Sequence, residues 1–306
     1  MESFFVNAKG LRFHINAWGD PSKPVAFLLA GTAFVAATWT PIAEALSANY
    51  RVYAMDRRGH GMSDSPEQNY EFFDFAEDLI SVIQAMNIRA ELVIGHSAGA
   101  TDALLSSSLQ PELFQQIFVH EPTIATPQQV GPQPVFPESS HQYMASISKR
   151  RVTFPSRADA IEHFRSREPY QQWAETSLRA QWANGLQDTD DGSVQLSCRP
   201  AAELQIIEPI LQAAANIYRA DHRGDPFRHF KNIRQPIALA LSADSDEIFI
   251  KMNQRAKKVL PNILLELTLK DTRHCAPQEN PQGFLAGIKL FVELIAKGGP
   301  AQKIEI

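Results

Sequence analysis

The sequence has little that would tie it to a membrane, a metal or a disulfide scaffold. Its 306 residues include two cysteines, Cys198 and Cys275, which are too few for a disulfide framework and form no CxxC or Cys/His cluster typical of a zinc site. No apolar run approaches the roughly 18 residues of a transmembrane helix. The first residues lack the basic and apolar regions of a secretory signal. We therefore expect a soluble, reduced, cytoplasmic protein without a structural metal.

An excess of positive charge is also missing. The chain has 29 Lys and Arg residues against 34 Asp and Glu residues, a formal net charge of −5, so electrostatics give it no reason to bind nucleic acid or an anionic membrane. Hydrophobic residues make up 44% and charged residues 21%, which are ordinary values for a globular chain. We expect a small-molecule substrate as its partner, and a monomer or homodimer.

Strand-like apolar runs alternate with helical patterns at both ends of the chain. The first segment is predicted to be a β-hairpin, because two β-prone runs flank Asn7-Ala8-Lys9-Gly10. Buried strands are predicted at Val25–Ala30, Arg51–Met55, Glu91–Ile94, Gln116–His120, Ile237–Leu241 and Ile263–Leu269. Such alternation favours an α/β fold, with a mostly parallel sheet covered by helices on both faces.

The alternation stops in the middle of the chain. From about residue 123 to residue 233 no convincing buried strand is found, and the proline-rich stretch 126–137 is expected to be irregular. Helices are predicted near 157–166, 169–185 and 200–219. We predict a core domain formed by residues 1–122 and 234–306, and a helical cap formed by residues 123–233, called the cap segment below.

The strongest chemical signal is Gly95-His96-Ser97-Ala98-Gly99. This GxSxG motif follows an apolar strand and opens a helix, the context that a nucleophile elbow requires. The tight turn needs small neighbours and presents the serine hydroxyl at the carboxyl edge of the sheet. The start of the following helix points N–H groups at a developing oxyanion. We therefore predict Ser97 as a catalytic nucleophile.

A nucleophilic serine needs a histidine base and an acid that orients it. The base is expected in the loop after the last strand, where His274 is the one histidine beyond residue 229. The acid is expected after the preceding strand, in the acidic loop 242–247, and we prefer Asp246. Asp244 in that loop and Glu121, directly after Gln116–His120, remain alternatives.

The oxyanion donors are predicted to be the N–H groups of Thr32, in the loop after Val25–Ala30, and Ala98. Phe34 and Trp39 near that loop, with His96 beside the serine, are predicted to line the substrate pocket. The aromatic residues of the cap segment are expected to contribute to the pocket or to pack the cap: Phe136, Tyr143, Phe154, Phe164, Tyr170, Trp173, Trp182 and Tyr218.

These motifs together resemble the α/β-hydrolase superfamily over nearly the whole chain outside the cap segment. Asp56–Asp64 (DRRGHGMSD) is similar to the family's D-x-R-G-H-G-x-S turn, Leu239–Asp246 to its strand and acid loop, and His274–Pro281 to its histidine loop. The resemblance implies an eight-stranded sheet. Ala30-Gly31 departs from the family's usual His-Gly before the oxyanion residue, and the match at His60 implies a structural role.

The resemblance also bears on chemistry. Some lactone-cleaving and cofactor-free oxygenase members take their acid from the strand that precedes Glu121, whereas dehalogenase and epoxide-hydrolase relatives use an aspartate nucleophile where this chain has Ser97. The implied activity is a serine hydrolase that cleaves an ester or lactone without a metal or cofactor. The alternatives are a C–C bond hydrolase or cofactor-free oxygenase on the same scaffold, and a hydrolase-fold protein that only binds a small molecule.

Overall fold

A nine-stranded sheet forms the centre of the computed structural model, which describes residues 1–126, 144–218 and 225–306. The strands of the described residues, numbered in sequence order, are β1 Glu2–Ala8, β2 Leu11–Trp18, β3 Val25–Leu29, β4 Arg51–Met55, β5 Ala90–His96, β6 Phe114–His120, β7 Thr153–Phe154, β8 Leu186–Asp188, β9 Val194–Leu196, β10 Ile237–Ser242, β11 Ile263–Leu269 and β12 Gln302–Glu305. The central sheet has the order β1-β2-β4-β3-β5-β6-β10-β11-β12. The predicted count of eight strands is therefore too low by the short edge strand β12, which pairs with β11.

Pairing in this sheet is parallel from β4 to β12 and antiparallel at the β1 and β2 end. The predicted hairpin is present at that end. Lys9 and Gly10 both have positive φ, 50° and 76°, as a two-residue hairpin turn requires. The mostly parallel sheet predicted from the alternation of strands and helices is confirmed.

Helices cover both faces of the sheet. The α-helices are α1 Thr40–Leu46, α2 Phe72–Ala85, α3 Ala98–Leu109, α4 Arg157–Arg165, α5 Glu175–Asn184, α6 Pro200–Tyr218, α7 Glu247–Val259, α8 Ala276–Glu279 and α9 Pro281–Ala296, with short 3-10 helices at Ala36–Trp39, Pro111–Leu113, Tyr170–Gln172 and Pro226–Asn232. Alternate residues of β3 enter different cores. Leu28 packs with Trp39 and Phe284 on one face, and Phe27 packs with Leu79 and Leu104 on the other. Burial on both faces explains why these strands are continuously apolar.

The cap segment carries α4, α5 and α6 and also three short strands. β7, β9 and β8 form a separate antiparallel sheet, so the expectation of a cap without strands is wrong. These strands have only two or three residues each, too few for an alternating pattern to be read in the sequence. Most of the proline-rich stretch, residues 127–137, lies outside the described residues.

Among the helices that the structure describes, none combines the length and apolar character needed to cross a membrane.

Candidate active site

Ser97 sits at the bend between β5 and α3. Its backbone has φ 55° and ψ −122°, a conformation that residues other than glycine rarely adopt and that is characteristic of a nucleophile elbow. Its N–H donates to the carbonyl oxygen of His120 at 2.9 Å, which fixes the bend against the end of β6. Ser97 is 9% exposed, so it is largely shielded from solvent.

The glycines of the motif are required by close backbone contacts. A Cβ atom on Gly95 would lie 2.4 Å from Cα of Ala100, and one on Gly99 would lie 2.4 Å from the carbonyl oxygen of Leu29. No real Cβ tolerates such distances, so only glycine fits at either position. The helix can therefore start directly against the neighbouring strands, which brings its N-terminus to the serine.

Ser97, His274 and Glu121 form one chain of hydrogen bonds. Oγ of Ser97 lies 3.0 Å from Nε2 of His274, and Nδ1 of His274 lies 2.6 Å from Oε2 of Glu121. Because a carboxylate can only accept, Nδ1 carries the proton and Nε2 is left to accept the serine O–H. The arrangement can deprotonate Ser97 as it attacks an electrophilic carbon.

The structure brings Glu121, and neither Asp246 nor Asp244, to His274. Asp246 is exposed and precedes the first residue of α7, and Asp244 is also exposed. The α7 segment instead contributes Phe249, whose ring stacks on His274 with 3.5 Å between centroids. The preference for Asp246 is corrected here, because its loop turns toward solvent where Glu121 turns toward the histidine.

Glu121 is fully buried and has φ 45°, so the chain bends as it leaves β6 and points the carboxylate along the sheet edge. Its Oε1 accepts the N–H of Ser242 at 2.9 Å. Burial acts to raise its pKa, but interactions with His120 and His274 and the bond from Ser242 lower the pKa of Glu121 to about 2. The group is therefore an ionised carboxylate at neutral pH, as the orientation of His274 requires.

Two further histidines support this edge. Nε2 of His96 donates to the carbonyl oxygen of His274 at 2.7 Å, which holds the backbone of the base. His120 lies beside His96 in the sheet register, and its Nε2 is 3.0 Å from Oγ of Ser242. Burial lowers the pKa of His120 to about 4 and that of His96 well below its usual value, so both rings are neutral. His96 was predicted to line the pocket, and the structure gives it this buried supporting contact.

The predicted oxyanion loop lies against the serine. A Cβ on Gly31 would be 3.1 Å from Cβ of Ser97, so the loop and the elbow are in close contact. Ala98 is the first residue of α3, where an N–H has no intrahelical acceptor. Neither its N–H nor that of Thr32 has a protein acceptor among the residues that the structure describes. Thr32 and Ala98 therefore stay our predicted oxyanion donors.

Three side chains hold the backbone of this loop where the family's usual His-Gly pair is replaced. Nε2 of His60 accepts the N–H of Ala33 at 3.0 Å, and Asp56 accepts that of Ala36 at 2.6 Å. Burial lowers the pKa of His60 to about 3, so its ring is neutral and can accept. The structural role expected for His60 fits this contact.

The third of these side chains is Gln181, in α5 of the cap segment. Its Oε1 accepts the N–H of Val35 at 3.0 Å, and its Nε2 donates to the carbonyl oxygen of Ala33 at 3.1 Å. Gln181 is 1% exposed. Sequence analysis missed it, because a single glutamine in a helix carries no signal of burial or of a distant partner.

The two aromatic residues predicted for the pocket have different surroundings. Phe34 stacks on His96, with 6.1 Å between ring centroids, and meets Trp173 of the cap segment edge-on at 4.9 Å. Trp39 is fully buried in the core against Phe284, away from the rim. Phe34 thus has a ring contact with the cap segment, whereas the ring contact of Trp39 is with the core residue Phe284.

The described aromatic residues of the cap segment pack mainly on one another. Phe164 stacks on Trp182 at 4.1 Å, and Tyr170 lies 4.9 Å from Trp173. Phe136, Tyr143 and the side chain of Tyr218 lie outside the described residues. In the part of the chain that the structure covers, no group of three or more His, Cys, Asp or Glu side chains could hold a metal ion.

Comparisons with known proteins find relatives that are named as hydrolases. A 2-(acetamidomethylene)succinate hydrolase from Mesorhizobium japonicum is 30% identical over 106 residues, which are 35% of this chain and 38% of that relative. The alignment therefore spans well under half of that relative's length. An N-formylmaleamate deformylase from Pseudomonas putida is 24% identical over 289 residues, covering 94% of this chain and 95% of the relative.

A solved structure has the same fold. The crystal structure of E-2-(acetamidomethylene)succinate hydrolase superimposes with a TM-score of 0.74 at 20% identity, covering 95% of this chain and 99% of that one. The model of the alpha/beta hydrolase family matches residues 26–287, which include Ser97, Glu121 and His274. This chain belongs to the alpha/beta hydrolase family.

Proposed function

We propose that the protein is a serine hydrolase that cleaves a carboxylic ester or lactone of a small, largely apolar substrate through an acyl-enzyme. One observation carries the proposal: the hydroxyl of Ser97 is 3.0 Å from His274, whose other ring nitrogen is bound to the buried carboxylate of Glu121. This is the geometry that activates a serine and fixes the histidine tautomer. The apolar surroundings of Phe34 favour an apolar substrate.

The reaction follows from these atoms. Oγ of Ser97 bonds to the acyl carbon while its proton moves to Nε2 of His274, and the N–H groups of Thr32 and Ala98 stabilise the oxyanion. The bond to the leaving group then breaks, and the leaving oxygen takes the proton from Nε2. Water attacks the acyl-serine with His274 as base, and the proton returns to Ser97 as the acid leaves. Glu121 keeps its negative charge and stabilises the imidazolium in both steps.

A second candidate is hydrolysis of an N-acyl bond. A relative that aligns over nearly the full length of this chain is an N-formylmaleamate deformylase. The same serine mechanism serves an amide, with the leaving nitrogen protonated by His274. Matched p-nitrophenyl esters and p-nitroanilides of the same acyl groups separate the two candidates by their kcat/KM values.

Fluorophosphonate labelling tests the nucleophile directly. We expect the folded protein to be labelled at Ser97 and the Ser97→Ala variant to remain unlabelled and to lose hydrolysis of short p-nitrophenyl esters. A folded protein that binds no probe and turns over no ester would contradict the proposal and favour a protein that only binds its ligand.

A further inference from the structure

A small cavity lies next to the nucleophile elbow. Six of its lining residues are Arg57, Phe75, Ala98, Asp102, Thr123 and Ile206. Ala98 follows the nucleophile, and Oγ1 of Thr123 is 3.4 Å from Oγ of Ser97. Two lining residues thus adjoin the reacting serine, and Ile206 in α6 makes the cap segment part of the cavity wall.

His274 is not among the described residues that line this cavity. The histidine must protonate the leaving group, so the leaving group has to lie on the histidine side of Ser97. We assign the acyl group to this cavity, because Ala98 and Thr123 place it next to Ser97 and His274 does not line it. This assignment rests on the proposed serine mechanism.

Arg57 is the unusual member of the lining, because it is a guanidinium that is only 2% exposed. Its Nε lies 2.6 Å from Oδ2 of Asp102 and its Nη2 3.3 Å from Oδ1, and its face lies over the ring of Phe75 at 4.0 Å. The third nitrogen, Nη1, is buried and has no hydrogen-bond partner within the described ranges. A buried donor without an acceptor costs free energy, so a hydrogen-bond acceptor on a ligand would stabilise this site.

The next residue provides an internal comparison. Arg58 is also buried, but all three of its nitrogens have partners: Nε and Nη2 bind Asp78, and Nη1 donates to the carbonyl oxygen of Asn69. Arg58 is thus a satisfied structural residue that does not line the cavity. Among the described residues, Arg57 has an N–H group without a partner and lines the cavity, whereas the adjacent Arg58 does neither.

We propose that Nη1 of Arg57 binds an uncharged carbonyl oxygen in the acyl part of the substrate, so that the enzyme prefers oxo-acyl substrates to plain alkyl ones. The Arg57–Asp102 pair is close to neutral overall, and the rest of this wall is largely apolar. A carboxylate placed here would add an uncompensated negative charge next to Asp102, which a low-dielectric site disfavours. A carbonyl uses the spare N–H without adding charge.

The test compares p-nitrophenyl 4-oxopentanoate with p-nitrophenyl pentanoate, which differ by one carbonyl group, and includes the charged p-nitrophenyl hemisuccinate. Binding to the Ser97→Ala variant by calorimetry requires no turnover, so it remains informative even if the proposed hydrolysis fails. Failure of the hydrolysis proposal shows separately, as absence of Ser97-dependent turnover of all three esters.

We expect the oxo ester to bind Ser97→Ala about tenfold or more tightly than the plain ester, in line with a hydrogen bond to a charged donor. Adding Arg57→Lys keeps the charge opposite Asp102 but removes Nη1, and should abolish this preference. The combined Arg57→Met and Asp102→Leu change should abolish it as well, without leaving an unpaired buried carboxylate. Arg58→Lys is the control, expected to lower stability while keeping the preference.

Three results would overturn the proposal. The first is equal affinity of Ser97→Ala for the oxo and plain esters, and the second is a preference that survives Arg57→Lys. The third is a stronger Arg57-dependent preference for the hemisuccinate, which would make the ligand group a carboxylate.

Discussion

Glu121 and His274, 153 positions apart in the chain, are joined by a 2.6 Å hydrogen bond between Oε2 and Nδ1. The bond exists because the carboxyl ends of β6 and β10 are neighbours in the sheet, with His120 paired to Ala240. Ser242 at the end of β10 connects Glu121 to the loop after β11, because its N–H donates to Oε1 of Glu121 and its Oγ donates to the carbonyl oxygen of Arg273. This relationship, together with the exposed position of Asp246, determines which acid we expect to matter.

Replacing the acid tests that expectation. Glu121→Gln should lower kcat roughly 10²–10⁴-fold, because an amide cannot stabilise the imidazolium and presents a donor to Nδ1. Asp246→Asn is the matched control, expected to change kcat less than about twofold. Initial rates with p-nitrophenyl esters measure both, with circular dichroism to verify folding. The reverse ranking would return the role to Asp246.

The cap segment should influence turnover through Gln181. Gln181→Leu removes both hydrogen bonds to the oxyanion loop and leaves the N–H of Val35 and the carbonyl of Ala33 buried without partners. We expect kcat to fall about tenfold or more as Thr32 loses its alignment. The exposed Gln171→Leu, also in the cap segment, serves as control. A lower melting temperature with unchanged kcat would limit Gln181 to a purely structural role.

The elbow should tolerate no side chain at Gly95. Gly95→Ala forces a Cβ to within 2.4 Å of backbone, so we expect a loss of about 3 kcal/mol or more in the free energy of unfolding. At Gly192, which has φ 83° but nothing within 4 Å of an added Cβ, alanine should cost only about 1 kcal/mol. Urea denaturation measures both variants, and similar losses would show that steric contact is not the cause.

Lowering the pH should destabilise the fold at values above those at which carboxylates take up protons. Burial lowers the pKa of His120 to about 4 and of His60 to about 3, while both titrate near 6.5 in the unfolded chain. Below pH 6.5 the unfolded state therefore binds protons that the native state does not. The free energy of unfolding should fall toward pH 4, by up to about 1.4 kcal/mol per pH unit for each such histidine.

His120→Gln provides the check on that slope. Urea denaturation of this variant at pH 7, 6 and 5 should show a shallower decline than in the wild type. Parallel declines in the two proteins would mean that His120 already takes up its proton in the native state.

The sequence predicted the elbow because its signal is local, and it predicted the base because only one histidine follows the last strands. The GxSxG motif needs only its own strand and helix, and His274 stood alone after the last strands. The acid depended on tertiary geometry, since Glu121 and Asp246 follow neighbouring strands. Glu121 reaches His274 because its backbone has a positive φ and bends there. Glutamate has no preference for positive φ, so the sequence could not predict this bend.

The same reason explains the other differences. Edge strand β12 and the cap strands β7 to β9 have four residues or fewer, so they are defined by pairing with other strands and not by a pattern in the sequence. Trp39 lies near the oxyanion loop in sequence, yet the 3-10 helix that carries it turns the indole into the core. Proximity along the chain did not predict the direction of a side chain.

Of the four tryptophans, Trp173 and Trp182 belong to the cap segment, and Trp173 touches Phe34 beside the reacting serine. The molecule therefore contains a built-in optical reporter: any ligand that shifts Phe34 or separates the cap segment from the sheet changes the solvent around these indoles. Their emission spectrum gives a label-free signal of occupancy at the site, usable in stopped-flow experiments before the natural substrate is identified.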